Sequence, residues 1–199
     1  MPRRRQLIAA LVALAAIASS PLTAQDKRPG IRAVEAEGRR GFWGVFSLGA
    51  GSEQLNFEGD DLGWSDARTE PVVSLRLGGT LSPHVRLGGE ATAWVNQAGQ
   101  FTETVGGLLV VTQVYPWRRA GFFLKGGLGL ASSTVDDNIG FSTTDAGFAS
   151  QLGLGYDVRL GRTIFLVPTV EFSNYAFDGD GAGYRERIAS LNIGLAWQR

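Results

Sequence analysis

The sequence predicts an all-β fold, an eight-stranded antiparallel up-and-down β-barrel that crosses a membrane. Three observations predict it. From about Gly41 to the end, eight stretches carry apolar residues at alternate positions, each roughly the 9–11 residues that a tilted strand needs to cross a bilayer. The intervening face is small and glycine-rich rather than charged. A segment with the order of a secretory signal comes first.

That segment divides into a basic start (Arg3, Arg4, Arg5), an apolar run from Leu7 to Ile17 and a small-residue stretch ending Pro21-Leu22-Thr23-Ala24. The run is too short to span a bilayer as a helix, so residues 1–24 are expected to be a signal peptide cleaved after Ala24. An uncleaved anchor is the alternative. Residues 25–40 (QDKRPGIRAVEAEGRR) are charged with little apolar periodicity and are read as a mobile periplasmic leader. Residues 41–199 are then one barrel domain. Without any Cys there is no disulfide and no lipid-modified N-terminus. The chain's net charge is zero, and removal of the three signal arginines leaves 16 basic against 19 acidic residues, a net of −3. This balance does not suggest a nucleic-acid partner.

The apolar face runs through Phe42, Phe46, Leu48 and Ala50, then Val73, Leu75, Leu77 and Leu81, then Val85, Leu87, Ala91, Ala93 and Val95. In the fourth stretch, near 104–115, both Leu108/Val110/Val114 and Leu109/Val111 are apolar, so its facing stays open. The series resumes with Phe122, Leu124, Leu128 and Leu130, then Phe148, Leu152, Leu154, Tyr156, Val158 and Leu160. Ile164, Leu166, Val170 and Phe172 follow, and Ala189, Leu191, Ile193, Leu195 and Trp197 close it. Period two alone suits a soluble barrel equally well. The opposite face decides the sense, because Gly78, Gly88, Gly127, Gly129, Gly153 and Gly194 suit the narrow interior of eight strands and not a water-washed exterior.

Connections after strands two, four and six read as short: Ser82-Pro83-His84, residues 116–120, and Gly161-Arg162. Those after strands one, three, five and seven read as long and polar, over about 51–70, 96–103, 131–145 and 174–186. Short periplasmic turns and long outer loops are the pattern of outer-membrane barrels, and an even strand count leaves both termini in the periplasm. Phe42, Trp43, Tyr115, Trp117, Phe122 and Trp197, with Phe123, are read as an aromatic girdle at the periplasmic rim.

On these features the chain resembles the OmpA-like eight-stranded outer-membrane β-barrel family. The resemblance rests on Gly-Phe-Trp-Gly-Val-Phe-Ser-Leu-Gly-Ala-Gly at 41–51, Val85-Arg86-Leu87-Gly88-Gly89-Glu90, Gly-Phe-Phe-Leu-Lys-Gly-Gly-Leu-Gly at 121–129, and Leu191-Asn192-Ile193-Gly194-Leu195-Ala196-Trp197. It implies the cell outer membrane, with lipid and lipopolysaccharide as surroundings, handling by the barrel assembly machinery, and a monomer. The family usually ends on an aromatic residue, whereas here Gln198 and Arg199 follow Trp197.

Charges within strands fall on the small-residue face: Arg76, Arg86, Glu90, Lys125, Asp157, Arg159 and Glu171. On the lipid face a basic residue costs about 2–4 kcal/mol at the midplane, so these belong in the lumen. Pairing Leu81 with Val85 across the turn sets Gly78 opposite Gly88 and Arg76 opposite Glu90. Arg76, Glu90, Lys125 and Glu171 are therefore expected to form an ion-pair network that plugs the barrel, with a polar path for a small ion as the alternative.

The residues for catalysis are sparse. The single His84 sits beside Pro83 in a short turn at the periplasmic end, and the mature chain's lysines are Lys27 in the leader and Lys125 in the lumen, so an enzyme is not expected. The Phe177-Asp178-Gly179-Asp180-Gly181 run resembles the start of a calcium loop but lacks the bidentate Glu, and Glu58, Asp60, Asp61 and Asp66 form an acidic cluster. Both are read as solvated loops, with divalent bridging to lipopolysaccharide as the weaker reading. No cofactor or metal is expected, since the Gly-x-Gly pairs lie in strands without a following helix. Pro168 in strand seven is expected to cause a bulge or a locally missing bond. The function expected is structural or surface-interacting, with a narrow porin-like channel as runner-up and a soluble periplasmic ligand-binding barrel third.

Overall fold

Alternation of period two, with lipid-compatible side chains on one face and small or polar ones on the other, folds here into eight long strands whose edges pair with one another. The structure, a computed structural model, describes residues 32–33, 39–57, 63–117, 120–137, 139–178 and 183–199. The strands are β1 (Phe42–Phe57), β2 (Arg68–Ser82), β3 (Val85–Ala98), β4 (Phe101–Val114), β5 (Phe122–Asp137), β6 (Phe141–Tyr156), β7 (Ile164–Phe177) and β8 (Tyr184–Gln198). Each pairs antiparallel with the next, and β8 returns to β1 along its length, from Tyr184 opposite Phe57 to Gln198 opposite Trp43. The cylinder is closed, so every strand has two neighbours and none offers an open edge to lipid.

The exterior has a distinct vertical order. Along β8 the outward residues Ala189, Leu191, Ile193, Leu195 and Trp197 form an apolar stripe over nine residues, the length a tilted strand needs to cross hydrocarbon. Leu75, Leu77, Leu108, Val110, Leu124, Leu128, Leu152 and Leu154 continue the band on other strands, all exposed. Above it the outward residues turn polar: Gln54, Thr134, Thr144, Asn174, Arg185 and Arg187. In β4 the outward residues are Leu108, Val110 and Val114, while Leu109 and Val111 are buried inside. Its doubly apolar sequence reflects a lumen that is itself apolar at that level.

The β2–β3 ladder sets Gly78 opposite Gly88 and Arg76 opposite Glu90, as the sequence predicts, but by a different turn. Ser82 pairs with Val85 around Pro83-His84, and an irregularity between Thr80 and Ser82 absorbs Leu81 and restores the register. Opposed glycines let the two backbones approach closely at that point; a Cβ on Gly78 would collide with the Leu87 carbonyl. Pro168 takes its place in the β7–β8 ladder opposite Ile193. On its other side the β6 pairing ends at Gly155 opposite Thr169 and resumes only at Val158 opposite Leu166. Register is kept across the gap, so proline removes ladder bonds without inserting a bulge.

Among the described residues, the four expected long loops are mostly strand. β3 and β4 meet at Gly99-Gln100, and β5 and β6 are joined by residues 138–140, so these hairpins rise beyond the apolar band as paired ribbons. Polar composition hid them, because a ribbon standing in water needs no apolar face. The leader too is partly tied: Arg32 and Ala33 pair with Arg159 and Val158, and Arg39 is buried, which corrects the mobile reading for those residues. The signal segment and Glu58, Asp60, Asp61, Asp180 and Gly181 lie outside the described residues.

Candidate functional site

The lumen is the candidate site, and it is built as three levels. On β3 the inward residues ascend from Arg86 through Glu90 to Trp94; on β5 from Phe123 through Lys125 to Ala131; on β7 from Phe165 and Val167 through Glu171 to Tyr175 and Phe177. The central member of each series is charged and buried.

Lys125 is the hub. Its Nζ donates to both oxygens of Glu90 at 3.0 and 2.8 Å and to Glu171 Oε1 at 2.7 Å. Arg76 lies 3.8 Å from Glu171 and donates to Ser47 Oγ at 3.2 Å. Gln151 donates to Glu171 Oε2 and to Ser173. The structure therefore brings Arg76, Glu90, Lys125 and Glu171 together, though the ladder partners Arg76 and Glu90 are not each other's ion pair. In an eight-stranded barrel the interior is narrow enough for long side chains to reach across it.

Two apolar levels bracket this centre. Trp43, Val45, Tyr115, Phe123, Phe165, Val167 and Ala196 form the lower one. The upper contains Val72, Trp94, Val105, Leu109, Val111, Ala131, Ala149, Tyr175, Phe177 and Ile188. Trp94 completes its hydrogen bonding by donating to the Gly51 carbonyl at 2.9 Å. Trp43 and Tyr115 are thus lumen residues, 1% and 0% exposed, which corrects their assignment to the aromatic girdle. Phe123 is corrected likewise. Trp43 and Phe123 each sit one position from an outward residue, and adjacent strand residues face opposite ways. Phe42, Trp117, Phe122 and Trp197 stand on the outer surface at the terminal end, with the Trp117 and Phe122 rings 5.7 Å apart.

A second polar cluster is held within the lower level. Arg86 donates to Tyr115 Oη at 2.7 Å, to Gln198 Oε1 at 2.7 Å and to Asp157 at 3.2 Å. Arg39 stacks over the Tyr115 ring at 3.8 Å and donates to the Ala120 carbonyl. Burial holds the Arg39 guanidinium below the usual arginine range, against the opposing pull of Tyr115 and Asp157. Gln198, the departure from an aromatic end, is used here as a lumenal ligand of Arg86. Arg159 keeps the inward register, opposite Phe165, but lies at the terminal rim, where it bonds the Gly161 and Arg162 carbonyls rather than joining the central charges.

Sequence reasoning missed the group at the mouth opposite the termini. Arg68 contacts Glu53 at 3.4 Å and Glu103 at 3.3 Å, and Glu186 is buried nearby on β8. All four lie in segments that read as loops from the sequence. Their signal was parity, since Glu53 continues the Trp43-Val45-Ser47 face and Glu186 the Ser190-Asn192 face. His84 sits in the Pro83-His84 turn with Nδ1 2.8 Å from the Tyr115 carbonyl. No group of three or more metal-ligating side chains assembles among the described residues.

This architecture has solved counterparts. Neisserial surface protein A is similar over 77% of this chain and 96% of its own, at 12% identity and a TM-score of 0.53. The fold is that of the outer-membrane β-barrels. Ail, the attachment invasion locus protein of Yersinia pestis, is similar at 11% identity and a TM-score of 0.49, over 79% of this chain and 99% of its own. OprG from Pseudomonas aeruginosa is similar at 14% identity and a TM-score of 0.47, over 81% and 98%. No protein-family model matches the sequence, and no curated protein matches it.

Proposed function

We propose that this protein is a monomeric, non-enzymatic barrel of the cell outer membrane, with both termini in the periplasm, a lumen closed to solutes and outer hairpins that serve a structural or surface-contact role. The observation that carries it is the order of the lumen. A salt-bridged centre lies between two apolar levels, so a hydrated ion would have to displace packed aromatic rings and break buried ion pairs to pass. The apolar exterior and the closed ladder support the membrane. The four outer-surface aromatics mark the terminal end as one interface, and the polar ribbons beyond the opposite end of the band fit the external side. Insertion by the barrel assembly machinery and lipopolysaccharide as surroundings belong to the same reading.

Reconstitution into planar bilayers tests closure. The wild-type protein is expected to leave the bilayer's conductance unchanged while running as a heat-modifiable band on gels. Discrete single-channel steps from that folded band would select the narrow channel instead. A mature chain that stays folded in buffer without detergent would remove the membrane reading.

A further inference from the structure

The outer wall just above the apolar band carries a groove of about 290 Å³ that the lumen does not explain. Trp64, Phe148, Ser150, Asn174, Arg185 and Arg187 line it, with Glu186 between the two arginines but buried on the inward face of β8. The ladders build it: Ser150 pairs with Asn174, Asn174 with Arg187, and Arg187 with Gln54, so these four side chains form one outward row across β6, β7, β8 and β1. The adjacent row toward the terminal end is Leu152, Phe172, Ala189 and Ser52, the edge of the apolar band. Arg185, two residues from Arg187 on the same face, adds a second guanidinium.

Residues 63–67, before β2, fold onto this wall. Ser65 N donates to the Leu55 carbonyl at 2.8 Å, and Gln54 Nε2 donates to the Ser65 carbonyl at 3.2 Å. Trp64 is thereby placed with its ring 3.8 Å from Arg187 Cζ, which fixes that guanidinium in a cation–π contact. No described carboxylate forms an ion pair with Arg187. An exposed arginine at a hydrocarbon boundary, held by an aromatic ring and flanked by neutral amide and hydroxyl groups, presents its fork to an anion.

We propose that this groove binds the phosphate of an acylated, phosphorylated lipid of the outer leaflet. Arg185 and Arg187 would take the phosphate, Ser150 and Asn174 supply neutral hydrogen bonds, and Leu152 and Phe172 lie under the acyl chains. Charge above hydrocarbon is the order in which such a lipid presents itself. The proposal rests on the membrane placement given above.

Native mass spectrometry of the folded mature protein in maltoside micelles tests it, with diphosphoryl lipid A, the same glycolipid stripped of phosphate, and inorganic phosphate as separate probes. Diphosphoryl lipid A is expected to give a one-to-one adduct that the other two do not. Arg185→Gln with Arg187→Gln should weaken that adduct roughly tenfold, while Arg68→Gln at the outer mouth leaves it unchanged. An adduct of wild-type strength in the double variant overturns the site, as does equal binding of the stripped glycolipid. Equal occupancy by inorganic phosphate overturns the lipid assignment. A protein that enters phosphatidylcholine vesicles yet forms no adduct fails this inference alone, whereas one that does not enter them fails the membrane reading.

Discussion

Replacing Lys125 with Met should expose how the interior is balanced. The ammonium makes three hydrogen bonds, two to Glu90 and one to Glu171, and is almost fully buried. Glu171 keeps Arg76 at 3.8 Å and the Gln151 amide, but Glu90 is left without a cation in ion-pair range among the described residues. Removing one partner of a buried pair costs about 3–5 kcal/mol, chiefly because the other charge is stranded. The expected loss lies in that range, measured by urea unfolding in lipid vesicles with heat-modifiable migration as the readout. Glu90→Gln added to Lys125→Met should recover most of it, since a neutral amide costs far less to bury. A single variant within about 1 kcal/mol of wild type, or a double variant no better than the single, would refute the argument that charge compensation governs this site.

Ile193→Arg, at the middle of the β8 apolar stripe, is expected to destabilise the barrel by about 2–4 kcal/mol in the same vesicle titration. Gly129→Leu should prevent heat-modifiable folding, because a Cβ there collides with the Leu108 carbonyl. Gly126→Leu, whose Cβ meets only Leu152 at 3.8 Å, should fold. Arg86→Met removes the ion pair of Asp157, which keeps the Tyr115 hydroxyl at 2.9 Å, and a partner of Tyr115 and Gln198, so the transition should shift by about 1–3 kcal/mol.

Much of the barrel was legible because lipid outside and a narrow lumen inside impose opposite chemistries on alternate residues. Leu191-Asn192-Ile193-Gly194-Leu195 states both at once. The reading failed where one side of that contrast disappears. Above the band the outward face turns polar as well, so Glu53 and Glu186, both buried on the inward face, read as loop residues. At the lower rim both faces carry rings, so Trp43 and Phe123 looked like companions of Phe42 and Phe122. The four central charges were readable by facing, but their partnering was not: sequence and register gave Arg76 opposite Glu90, while contacts across the barrel chose Lys125 for Glu90 and Glu171 for Lys125.

That crosswise partnering ties together strands that are not neighbours. Glu90 on β3 reaches Lys125 on β5, Lys125 reaches Glu171 on β7, and Glu171 faces Arg76 on β2 across the seam formed by β8 and β1. An unrolled sheet would hold these groups far apart, each needing its own water. Neutralisation is complete only when the two ends of the chain have met, so the centre acts as a latch that rewards a finished circle and leaves a half-rolled one too hydrated to settle among lipid tails.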